Sequence, residues 1–314
     1  MKKKAIIVSI KGPKLTRKEQ LLLSKENPWG IILFKRNIKS LYQLKKLIKF
    51  IKKLTKNKRF PILVDEEGST VSRLTNIYKN NFNAYYFGNL YEKNPQSALI
   101  LYKNYLEILC QNLNKIGINI NTIPVLDVLR KNTNKIIGNR SFSKKKEIVK
   151  IFGDITIKKC REKGIATVVK HIPGHGCSAV DSHLKMPIVN LKEKILDKID
   201  FYPFKSSSSK LAMTAHILYK KIDSKNISTF SSKVIKKIIR KKIGFKGILM
   251  SDDISMKALK YDLVTNAKKS LDAGCNLALY CAGNINDNLK LIKSLPYIDN
   301  FTSKKTSEFY KFLR

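Results

Sequence analysis

IATVVKHIPGHG, residues 165–176, opens with a short run of β-branched apolar residues and ends in Lys170-His171. Pro173, Gly174 and Gly176 then break any regular structure. A run this short, apolar at every position, reads as a strand buried on both faces, as in a parallel sheet. The same design recurs along the chain. AIIVSI (5–10), GIILF (30–34), PILVD (61–65), INTIPVLDV (120–128), LAMTAHI (211–217), GILMSDD (247–253) and LALYC (277–281) bring the count to eight. Amphipathic, Lys-rich stretches fall between them, at 40–54, 96–116, 145–163, 231–243 and 266–273. Eight alternating β and α units predict an α/β fold, a (β/α)8 TIM barrel. A doubly wound sheet is the competitor, but no Gly-rich fingerprint follows the first strand. No linker, low-complexity block or repeat divides the chain, so residues 1–314 are expected to form a single barrel domain.

The composition narrows the class. The 314 residues are 43% apolar and carry a formal net charge of +40. That is too apolar for a disordered chain despite the charge. Arg occupies only nine positions, and Lys is spread through nearly every segment beside abundant Asn and Ile. Nucleic-acid readers concentrate Arg on one face. The charge therefore reads as the bias of an AT-rich genome on a solvated surface, with no specific nucleic-acid partner. Five cysteines, an odd number with no CxxC pair, argue against a disulfide framework and fit a reducing compartment. MKKKAIIVSI imitates a signal peptide, but its apolar run is short and lacks a cleavage site. No stretch approaches the roughly 20 apolar residues of a membrane span. The expectation is a cytoplasmic monomer without membrane contact.

The polar residues collect at strand ends: Asp65-Glu66-Glu67-Gly68, Asp127, Lys170-His171, Thr214-Ala215-His216 and Ser251-Asp252-Asp253. In a barrel these ends open on one face, where active sites are built. All four histidines, 171, 175, 183 and 216, fall in such segments. Three chemistries compete. His171, His175, Asp181 and His183 are plausible metal ligands, but Pro and Gly interrupt the spacing and no compact ligand motif appears. Lys170 with Gly174 and Gly176 suggests phosphate binding, without a Walker-type spacing. Acid/base and nucleophilic chemistry on a polyol accounts for the convergence of acids, His, Lys and Arg with neither metal nor cofactor.

Four segments are more specific. ILVDEEGSTVSRL, VVKHIPGHGCSAVDSHLKMP, LAMTAHILY and GFKGILMSDDISMKAL together resemble the family 3 glycoside hydrolases. More narrowly, they are similar to the bacterial β-N-acetylglucosaminidases of peptidoglycan recycling. The likeness runs from about residue 28 to 284 in the family's order. It implies a TIM barrel, a retaining mechanism and no cofactor. By position, Asp252 matches the nucleophile, His183 the proton donor and acceptor, and Asp181 the partner that orients His183. Asp65, Arg73, Arg140, Lys170 and His171 match residues that hold the terminal sugar. His175 and His216 are expected to support the site, and Asp253 to orient the loop after the seventh strand. The chain departs from the family's Gln-Glu-Gly-Gly-Arg at Glu66, Ser69 and Thr70, and Ile172 replaces the commoner Phe.

The resemblance implies removal of terminal N-acetylglucosamine from GlcNAc-1,6-anhydroMurNAc-peptides in cell-wall recycling. The partner would be a small saccharide or muropeptide. Two alternatives stay open: a phosphorylase using the same site, and a decayed muropeptide-binding protein.

Overall fold

The computed structural model describes residues 2–182, 185–311 and 313. Eight parallel strands close into a barrel: β1 (Lys4–Ser9), β2 (Pro28–Leu33), β3 (Ile62–Val64), β4 (Ile120–Asn121), β5 (Ala166–Ile172), β6 (Leu211–Thr214), β7 (Ile248–Asp253) and β8 (Leu277–Leu279). Each pairs with its neighbours in sequence. Closure is made at Ile7, which lies opposite Leu279 on one side and Gly30 on the other. The expected α/β (β/α)8 architecture is the one observed.

Strand alternation divides the core in two. Ile7, Leu63, Val168, Met213, Ile248 and Leu277 fill the barrel interior. Ile6, Val8, Ile31 and Val169 face outward and pack under the helices. The lower end is plugged by the helix Asn300–Tyr310. Its Phe309 joins the interior cluster, and Trp29 Nε1 donates to Thr306 Oγ1 at 2.9 Å. Trp29 and Phe309 are fully buried, which adds a few kcal/mol of apolar burial where a water-filled hole would otherwise sit.

The helices start and stop on local signals. Ser40 caps the helix Leu41–Leu54 by accepting from the Gln43 N–H. Asn94 caps Pro95–Ile116, with Pro at the first position and Gly117 left-handed after the last. On Leu41–Leu54 the buried face is Leu44, Leu47, Ile48 and Ile51, while Lys45, Lys46, Lys49 and Lys53 are exposed. Here the positive charge lies on the barrel exterior.

Two local expectations differ from the structure. The run 120–128 yields only a two-residue strand. Pro124 has no N–H to give the ladder, and pairing resumes only as a bridge between Val125 and Lys170. The segment 231–243 is helical but wound as a π-helix over Val234–Lys242. No helix among the described residues is long and apolar enough to cross a membrane.

Candidate active site

A cavity of about 260 Å³ opens where the strands end. Asp65 and Glu67 approach it from the end of β3, Lys170 and His171 from β5, and Asp252 from β7. Arg73 and Arg140 arrive on the loops after β3 and β4. Thus Asp252, Asp65, Arg73, Arg140, Lys170 and His171, far apart in sequence, line one pocket.

The charges are paired across it. Lys170 Nζ sits between Glu67 Oε1 at 2.6 Å and Asp65 Oδ1 at 3.2 Å, and donates to Thr122 Oγ1 at 2.8 Å. Arg73 Nη2 reaches Asp65 Oδ2 at 3.2 Å. Arg140 grips Glu67 with two parallel bonds, Nε to Oε2 at 2.7 Å and Nη2 to Oε1 at 2.9 Å. Burial alone would raise the carboxyl pKa values. Lys170 and Arg73 instead hold Asp65 well below its ordinary range, and Arg140 and Lys170 lower the pKa of Glu67.

Asp252 is half-buried in the cavity wall, and its partial desolvation opposes ionisation. His216, His171, the Asp253 N–H and Lys170 outweigh that and lower its pKa. The Asp253 N–H donates to Asp252 Oδ1 at 2.8 Å. Asp252 is therefore an ionised carboxylate facing the cavity. Asp253 turns away from it: its carboxylate accepts from the Ser255 hydroxyl at 2.7 Å and the Cys281 N–H at 3.2 Å. That fixes the loop after β7 against β8.

Beneath the pocket, Asp127 accepts from His171 Nδ1 at 2.7 Å and from the His175 N–H at 2.6 Å. It fixes the ring that the strand end presents. His175 lines the cavity, and desolvation lowers its pKa to about 4, so its imidazole is neutral near pH 7. His216 does not line the cavity. Fully buried, it bonds Thr229 Oγ1 at 2.8 Å and the Asp253 carbonyl at 3.0 Å.

Asp181 is half-buried on the loop after β5, and its carbonyl accepts the Lys185 N–H at 3.2 Å. Ser182 reaches the cavity wall, where its hydroxyl stands 3.3 Å from His175 Nε2. His183 lies outside the described residues.

The departures from the family pattern sit in the turn after β3. Ser69 and Thr70 are exposed, and backbone closes the turn: the Ser69 N–H donates to the Phe82 carbonyl at 2.7 Å. Gly68 has φ 147°, and a Cβ there would come within 2.6 Å of the Phe82 oxygen. Glu66 shapes the next turn. Its carboxylate accepts from the Ser72 hydroxyl at 2.7 Å, the Arg73 N–H at 2.9 Å and the Leu74 N–H at 3.1 Å, which brings Arg73 to Asp65.

Sequence reasoning gave no role to Asp127 or to the apolar wall of Ile136 and Ile137. Asp127 was visible as a strand-end acid. The two isoleucines were not, because nothing local marks a loop residue as a pocket wall. Among the described residues, no three His, Cys, Asp or Glu side chains converge as metal ligands.

Known proteins share this arrangement of chain and barrel. Residues 2–302 match the family model described as the glycosyl hydrolase family 3 N-terminal domain. The β-hexosaminidase of Nitrosomonas eutropha is 32% identical over 281 residues, 88% of this chain and 80% of that protein. NagZ from Neisseria gonorrhoeae, solved in complex with N-trifluoroacetyl-D-glucosamine, is 29% identical with a TM-score of 0.88, covering 98% of this chain and 90% of that one. The chain also covers 60% of a β-N-acetylglucosaminidase of this family from Paenibacillus sp., at a TM-score of 0.86. Its 24% identity makes that a likeness of fold alone.

Proposed function

The chain belongs to glycosyl hydrolase family 3 and is a glycoside hydrolase of the β-hexosaminidase kind, and from that premise we propose that it is a retaining exo-β-N-acetylglucosaminidase acting on peptidoglycan fragments in the cytoplasm. The observation that carries this reading is the ionised Asp252 beside a saccharide-sized cavity walled by Asp65, Arg73, Arg140 and Lys170. Such alternating donors and acceptors suit the hydroxyls and acetamide of a terminal N-acetylglucosamine, as in GlcNAc-1,6-anhydroMurNAc-peptides.

Asp252 attacks the anomeric carbon. The glycosidic C–O bond breaks as the Asp252–C1 bond forms, and His183 gives its proton to the departing oxygen. Water then attacks C1 from the same face, losing a proton to His183, and Asp252 leaves. Asp181 favours the charged imidazolium and orients it. A free His titrates near 6.5, so both protonation states are accessible near neutrality. Asp65 and Arg73 hold each other and the sugar edge, while Lys170 and Arg140 screen the acids that would repel Asp252.

Turnover of an aryl β-N-acetylglucosaminide, with and without phosphate and with the product anomer followed by NMR, tests this. β-N-acetylglucosamine as the first product, at a rate indifferent to phosphate, supports a retaining hydrolase. An α product rules out retention. A glycosyl phosphate would assign a phosphorylase.

A further inference from the structure

Two loops run side by side over the mouth. Residues 128–140 carry Ile136, Ile137 and Arg140, which line the cavity. Residues 174–182 carry His175 and Ser182, which line it too, and Asp181. Their backbones touch at Gly176, where a Cβ would stand 1.8 Å from the Val128 oxygen. From there the contact is made by two consecutive polar residues. Thr133 Oγ1 donates to the Gly176 carbonyl at 2.5 Å while accepting the Arg130 N–H at 2.6 Å. The Asn134 N–H donates to the Ser178 carbonyl at 2.9 Å, and Asn134 Nδ2 to the Ala179 carbonyl at 3.0 Å. Asn134 Oδ1 accepts the Ile136 N–H at 2.9 Å. One short segment thus ties three carbonyls of the Asp181 loop to the loop that supplies the apolar wall and Arg140.

We propose that Thr133 and Asn134 are positioning residues that hold the Asp181 loop in register with the sugar-binding wall. The proposal rests on the reading above, in which Asp181 and His183 supply acid/base chemistry. The ties reach the loop two residues before Asp181. They do not touch Asp252, Asp65 or Lys170, which strands β7, β3 and β5 set in place. Loosening them therefore misplaces proton transfer while leaving the nucleophile and the sugar grip intact. The Asn134 side-chain bond to Ala179 is exposed and the Thr133 bond to Gly176 only part-buried, so losing these two side-chain ties costs on the order of 1 kcal/mol each.

The test compares wild type with Thr133→Val, Asn134→Ala and the double variant. Two readouts are used. The first is kcat/KM on a GlcNAc disaccharide, whose leaving oxygen needs a proton, and on a dinitrophenyl N-acetylglucosaminide, whose leaving group does not. A misplacement of about 1 Å costs roughly 100-fold in a geometry-dependent step. The double variant should accordingly lose about 10- to 100-fold on the disaccharide, and under about three-fold on the dinitrophenyl substrate and in N-acetylglucosamine inhibition. The second is amide hydrogen exchange across residues 174–182, which should accelerate in the variants.

Equal losses on both substrates with weaker N-acetylglucosamine inhibition overturn the proposal, because the loops then act on binding as a whole. Unchanged exchange with unchanged kinetics overturns it as well. If wild type turns over neither substrate, the functional reading falls. The exchange arm still decides the register: accelerated exchange supports it and unchanged exchange overturns it.

Discussion

Glu67 and Arg140 face each other in a two-point ion pair, with bonds of 2.7 and 2.9 Å and side chains only 5% and 9% exposed. Lys170 lies on the other side of the same carboxylate, 2.6 Å from Oε1. Glu67 therefore ties the loop after β4 to the end of β5. Arg140→Ala leaves a buried carboxylate half-paired, a change that costs about 3–5 kcal/mol in comparable buried pairs. Thermal unfolding should shift down clearly, and kcat/KM should fall by about two orders of magnitude as Lys170 is drawn towards Glu67. Unchanged kinetics with a lowered melting temperature would make the pair purely structural.

Asp252→Ala removes the carboxylate argued to attack the sugar. Turnover should fall by about three to five orders of magnitude. The fold should persist with stability unchanged or slightly reduced, since the surroundings that lower the Asp252 pKa favour its charge. A slow 2-fluoro substrate should label a peptide at Asp252, and a label on Asp253 would reverse the assignment.

His183→Ala should separate two leaving groups. Hydrolysis of the natural disaccharide should collapse, while glycosylation by a nitrophenyl substrate survives and KM drops as the intermediate accumulates. Azide, which needs no general base, should restore the rate and give a β-glycosyl azide. Equal slowing on both substrates without azide rescue would assign His183 a structural part.

His175 makes stability pH-dependent. Its folded pKa is lowered from 6.5 to about 4. Between those values the unfolded chain binds a proton that the folded chain refuses. Stability is thus lost as pH falls, by up to about 3 kcal/mol from this group. Denaturant titrations from pH 7 to 4 should show a shallower decline for His175→Asn, and identical slopes would remove His175 from the account.

The barrel was legible because each strand of a parallel sheet is buried on both faces and must be apolar throughout, as IATVV shows. The pocket's polar rim was legible for the same reason, since acids and histidines can sit only where those runs stop. Pairing was less visible. β4 shrank to Ile120–Asn121 because Pro124 lacks a donor. The small parallel pair of Ile188–Val189 with Leu218–Tyr219 joins two loops with no strong local pattern. Ile136 and Ile137 became pocket wall only through tertiary placement of their loop, which no periodicity encodes.

Closure at Ile7 has a consequence for synthesis. β1 must wait for Leu277–Leu279, and Trp29 for Phe309. At 5–20 residues per second, a ribosome needs roughly 15 to 50 s to travel from one barrel edge to the other. Throughout that interval the nascent chain displays an unpaired apolar strand, the surface that neighbouring nascent chains on a polysome could capture. The barrel's seam thus makes translation speed and chaperone cover part of this enzyme's yield.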